Sequence, residues 1–213
     1  MTFLPDAPSL LAFTLAALVL TMTPGPDMTL FLGRTLSAGR AAGIATMLGA
    51  STGILVHTTL AALGLSALIA ASPQAFLVLK VVGAGYLVFL AVQALRSGSA
   101  LRLDTQAVRA PRSLTSHWLT GVGVNLLNPK VILFNVTFMP QFVSAADPHA
   151  WQKLFFFGVY FIVIATPIAL AIILAAERFT ALLRRKPKIM RAIDWIFASV
   201  FSGFALHILL ARA

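Results

Sequence analysis

The chain has 213 residues, of which 59% are apolar and only 10% charged, whereas an ordinary soluble domain carries about 25% charged residues. A globule of this size cannot bury so much apolar surface, so a water-soluble monomer is excluded and the solvent must be lipid; the mean hydropathy of +0.93 agrees. The absence of Cys excludes disulfides and thiolate metal sites, and in such a chain the formal charge of +10 is a topology signal before it is a nucleic-acid signal.

A hydrocarbon core of ~30 Å needs about 20 apolar residues per helix. Six stretches qualify: 10–32, 41–71, 75–95, 118–143, 154–176 and 193–210. The N-terminus has no Lys or Arg before its long apolar run, so it does not read as a cleaved signal peptide. The second stretch is uncharged and longer than one span requires. It is expected to break near Gly64 and to end as a short surface helix before Ser72-Pro73. No stretch alternates with period two, which argues against a lipid-facing barrel, and helices satisfy their own backbone groups in hydrocarbon. The fold class is therefore an all-α integral membrane protein with six transmembrane helices.

The basic residues are unevenly placed. Arg34 and Arg40 follow the first helix, and Arg96, Arg102, Arg109 and Arg112 follow the third. Arg178, Arg184, Arg185, Lys186, Lys188 and Arg191 follow the fifth. The positive-inside rule places these connections in the cytoplasm and both termini outside, in the periplasm if the membrane is a bacterial inner membrane. The basic run 184–191 is expected on anionic headgroups. The longest connection, about 96–117, divides one membrane domain, 1–213, into repeats of about 8–95 and 118–213. With three helices each, the two repeats must be inverted relative to one another, as in many secondary transporters.

Two helices are interrupted. The first contains Thr23-Pro24-Gly25-Pro26-Asp27, which removes two backbone donors and clashes with the preceding turn. A new half-helix is expected from Pro26 or Asp27. The fourth contains Asn128-Pro129-Lys130, an N-cap followed by a Pro suited to the first helical position. Pro24 and Pro129 lie at matching depths in the two halves. A matched pair of broken segments is a pointer to a transporter binding site.

Charges at mid-membrane cost at least ~2.5–3.5 kcal/mol on insertion scales, so each needs a partner or a watery cavity. Asp27 and Lys130 either pair structurally or meet a substrate, and Lys80 either snorkels to the outer interface or joins the site. A small zwitterion fits the breaks. Its carboxylate would meet half-helix N–H groups and Lys130, and its ammonium would meet Asp27 or a freed carbonyl of residues 23–25. Gln141, where the fourth helix closes, could line an exit. Gly49-x-x-x-Gly53 reads as a close-packing face. His57 reads as hydrogen-bonded packing, and His117 as interfacial. No metal-ligand spacing and no nucleotide-binding loop occurs, so no cofactor or metal is expected and transport must be gradient-driven. The rival classes are an integral membrane enzyme, for which Asp27 and His57 are too few candidates, and a passive channel, which would show rings of polar residues rather than paired breaks.

In order along the chain, Thr23-Pro24-Gly25-Pro26-Asp27, the glycines of the second helix, Lys80-x-x-Gly83-Ala84-x-Tyr86-Leu87, Asn128-Pro129-Lys130 and Pro140-Gln141-Phe142 resemble the LysE/RhtB family of bacterial amino-acid exporters. The resemblance covers essentially the whole chain. It implies a dimeric, six-helix inner-membrane exporter of a threonine-, homoserine- or leucine-like amino acid, working by ion-coupled antiport and not an enzyme. The breaks and the charges near them make the candidate site Thr23, Pro24, Gly25, Pro26, Asp27, Lys80, Asn128, Pro129, Lys130 and Gln141, with Asp27 the candidate carrier of the coupling proton.

Overall fold

The computed structural model describes residues 4–72, 74, 75, 78, 81, 82, 85, 88, 89, 92, 113–144, 147–185 and 187–210. Helix α1, Ala7–Met22, starts at Asp6, whose carboxylate accepts from the Ser9 amide at 3.3 Å. It stops at Thr23, held extended (φ −76°, ψ 119°) because the following Pro24 excludes the helical conformation. Helix α2, Pro26–Ala38, begins with Pro26 and ends at Gly39, whose φ of 88° and ψ of 171° lie in a region open essentially to Gly alone.

Helix α3, Arg40–Ala71, runs unbroken for 32 residues. The expected break at Gly64 does not occur. One Gly disfavours a helix by only about 1 kcal/mol, and without a Pro beside it that is too little to end a helix with so many neighbouring turns. The third apolar stretch lies mostly outside the described residues, as do Lys80, Gly83, Ala84, Tyr86, Leu87 and residues 93–112.

Helix α4, Leu114–Leu126, is capped by Ser113, and α5, Pro129–Leu133, by Asn128. Beyond α5 the chain continues as a π turn, Phe134–Phe138, and a 3₁₀ turn, Met139–Phe142. Helices α6, Ala150–Leu174, α7, Ala176–Arg185, and α8, Pro187–Leu210, complete the chain. Just before α6, Asp147 accepts from Lys153 in the first turn of that helix, which holds the Asp147 carboxyl below the usual carboxylate range.

Residues 40–65 of α3 and all of α6 are long and apolar enough to cross a membrane. The two interrupted segments each qualify as one broken span, bent by 49° between α1 and α2 and by 55° between α4 and residues 129–142. Both breaks thus fall where the prolines require them. Gly39 and Arg40 lie beside Ala175–Arg178, so the connections after the first and fifth spans share one end of the bundle.

Helices α3 and α4 pack through backbone. A Cβ on Gly49 would collide with the Trp118 carbonyl, and one on Gly121 with the Thr46 carbonyl. Among the described residues, two apolar clusters fill the interior. One is aromatic, centred on Phe13, with ring centroids 4.6 Å from Phe157 and 5.4 Å from Phe142. The other, which includes Met28, Phe31, Leu32, Met47, Ile172 and Ile173, lies toward the end that carries Arg40 and Arg178. Leu60, Leu63 and Val163 are exposed, as a lipid solvent permits. His117, expected at an interface, is buried.

Candidate functional site

The breaks interlock. When α1 stops, its last carbonyls lose their intrahelical donors. The Lys130 ammonium, arriving from the other break, donates to the carbonyls of Leu20 and Thr23, each at 2.8 Å. A cation at a helix C-terminus also meets the negative end of the macrodipole. In the reverse direction, Asp27 stands in the first turn of α2, where the dipole favours an anion. Its Oδ2 accepts from Asn125 Nδ2 at 2.8 Å and from Asn128 Nδ2 at 3.0 Å. Asn128 works at both ends, because its Oδ1 accepts from the Lys130 amide at 3.1 Å and caps α5. Pro26-Asp27 and Pro129-Lys130 therefore occupy equivalent places at the starts of two half-helices, with opposite charges, each held by groups of the other break.

The second oxygen of Asp27, Oδ1, is buried and makes no hydrogen bond. A buried carboxylate oxygen without a donor is costly, and few persist without a function. Asn125 Oδ1 is also unbonded, but it is packed against α3: a Cβ on Gly53 would lie 2.5 Å from it. Nε2 of His57, one turn beyond Gly53, is buried and unbonded as well.

A cavity of about 100 Å³ opens beside the breaks. Thr23, Gly25, Asp27, Asn128 and Lys130 line its polar end. Away from them the wall is mainly apolar, formed by α1, α2, α3, α5 and α6. Half of the residues expected at the site are thus brought together on one cavity. Pro24, Pro26 and Pro129 shape the breaks without lining it. Gln141 stands in the 3₁₀ turn, bonded to the Thr137 carbonyl at 2.8 Å, and is not among the lining residues. The Thr23 carbonyl, expected to be open to a ligand's ammonium, already accepts from Lys130. The start of α2 carries no side-chain cap, whereas that of α5 is capped by Asn128, so the two half-helix starts are not equivalent toward an anion.

Sequence reasoning missed Asn125, although an Asn three residues before Asn128 in an apolar run puts two amides on one helix face. It also missed the α6 wall, where Phe161, Ala165, Thr166 and Ala169 face the cavity. Thr166 was its one polar signal.

A family model described as LysE type translocator matches residues 18–212. A homoserine/homoserine lactone efflux protein of Salmonella typhimurium is 32% identical over 190 residues, covering 89% of this chain and 90% of that protein. A membrane protein of Vibrio cholerae without an assigned function is 30% identical over 210 residues, covering 95% of this chain and 97% of the relative. No solved structure matches the chain.

Proposed function

The chain belongs to the LysE type translocator family, and we propose that it exports a small neutral amino acid of threonine, homoserine or leucine type across the inner membrane by proton antiport. The observation that carries this reading is the divided carboxylate of Asp27. One oxygen is held by two amides, the other is buried and unbonded, and the residue lines the cavity. That second oxygen suits either a substrate ammonium or a proton, and it cannot serve both at once. Competition for it couples inward proton flow to outward substrate flow. The substrate carboxylate takes the uncapped start of α2 beside Lys130, whose Nζ would lie 3.7 Å from a Cβ on Gly25.

The remainder of the mechanism follows from the broken helices. The six spans form two inverted repeats, and rocking one repeat against the other opens the shared site to either face. The aromatic cluster around Phe13 and the cluster around Met47 are then the two seals. The working unit is a homodimer with both termini in the periplasm. The name of the Salmonella typhimurium relative supports the direction of transport and the class of cargo.

Proteoliposomes preloaded with labelled threonine, homoserine or leucine test the proposal. An imposed pH gradient should drive label against its own gradient, and a protonophore should abolish that movement. Transport indifferent to both removes Asp27 as the coupling group.

A further inference from the structure

The cavity beyond the polar end has an unusual hydrogen-bonding character. Its wall includes hydroxyls from three different helices: Thr21 on α1, Ser51 on α3 and Thr166 on α6. Each has already spent its proton on the carbonyl one turn back in its own helix. Thr21 donates to Ala17 at 2.7 Å, Ser51 to Met47 at 3.2 Å and Thr166 to Ile162 at 2.7 Å. Thr23, at the polar end, does the same with Val19 at 2.7 Å. A hydroxyl whose proton is committed offers only lone pairs. The other walls here are Met, Phe, Ile and Ala side chains, and among the described lining residues only Asn128 and Lys130, at the breaks, carry side-chain N–H groups. Among the described residues the compartment is therefore an apolar space dotted with acceptors and lacking donors.

We propose that this compartment receives the side chain of the exported amino acid and selects for chains that are aliphatic or carry a hydroxyl donor, against chains that present only acceptors. The proposal rests on the amino-acid export reading above and refines its substrate class. A hydroxyl donor finds a lone pair of Ser51 or Thr166. An aliphatic chain meets the apolar walls. An ether or carboxylate oxygen on the side chain faces other oxygens and stays unpaired when buried.

Three amino acids with three-atom side chains separate these properties. Homoserine ends in a hydroxyl, norvaline is its aliphatic counterpart, and O-methylserine is its acceptor-only isomer. Each is added as competitor to proteoliposomes carrying a labelled neutral substrate. Homoserine and norvaline should compete comparably, and O-methylserine should need about tenfold more, since leaving a buried polar group unpaired weakens binding by roughly 5- to 150-fold. In the combined variant Thr166→Val, Ser51→Ala, the homoserine-to-norvaline ratio of competition should fall about tenfold, because both acceptors are replaced at nearly constant shape. O-methylserine competing as well as homoserine, or a ratio unchanged in the double variant, overturns the assignment while leaving export intact. A protein that transports no amino acid at all refutes the export reading, and this assignment with it.

Discussion

Gly53 does not line the cavity, yet adding one methyl group there should disable it. A Cβ at this position would lie 2.5 Å from Asn125 Oδ1 and 2.9 Å from both Cβ and Cγ of Asn125. Real carbons do not approach so closely, and Asn125 is fully buried, so its amide must move. The same amide donates to Asp27 at 2.8 Å. A hydrogen bond to a charged group contributes about 1.5–3 kcal/mol, and at 1.4 kcal/mol per factor of ten the loss is roughly 10- to 150-fold. Gly53→Ala should therefore lower transport by that factor at equal protein abundance, measured as initial efflux of label from proteoliposomes and normalised by immunoblot. Gly64→Ala is the control, because a Cβ there meets nothing within 4 Å. If the effect passes through Asn125, Gly53→Ala added to Asn125→Ala should cost little more than Asn125→Ala alone. A Gly53→Ala protein that transports within twofold of wild type refutes the reasoning.

Three further outcomes are expected. Asp27→Asn keeps the shape of the side chain but removes its charge, so efflux should fall sharply while the protein still inserts and accumulates; efflux equal to wild type would reduce Asp27 to a helix-start residue. Lys130→Met removes the donor to the carbonyls of Leu20 and Thr23. Two buried carbonyls that lose their donor cost about 1–3 kcal/mol each, so both the apparent melting temperature in detergent and the transport rate should drop, with Lys130→Arg recovering the former more than the latter. A reporter active only outside the cytoplasm should work when fused after Ala213 and be silent within residues 102–112, and the reverse pattern would overturn the orientation read from the basic residues.

The breaks were legible because proline acts locally. Pro24, Pro26 and Pro129 each remove a donor and restrict the residue before them, and no tertiary context restores that donor. Gly49 was legible for a similar reason, since small residues on a helix face invite close approach. The continuity of α3 through Gly64 was not, because one Gly is a small penalty that the surrounding helix outweighs. The partners of the charges were also hidden. Asp27 and Lys130 invited pairing with each other, but Lys130 also reaches the backbone of α1 and Asp27 takes two amides. Periodicity describes which face of a helix is apolar, and it says nothing about which carbonyl a lysine will find a hundred residues away. Asn125 escaped notice because attention to charge passes over neutral amides, although in hydrocarbon a buried amide has equal need of a partner.

The crossed bonding of the breaks also bears on how the chain is made. Asp27 and the carbonyls of Leu20 and Thr23 leave the ribosome about a hundred residues before Lys130, which at ~5–20 residues per second is an interval of roughly 5–20 s. Throughout it the first half holds a charge and two severed carbonyls and has none of the partners that it has in the finished protein. The first half is therefore an unfinished client of the insertion machinery, and the second half completes it on arrival. Chains that stop short of Asn128 should be recognised as faulty by membrane quality control, and supplying residues 113–213 as a separate polypeptide should protect them.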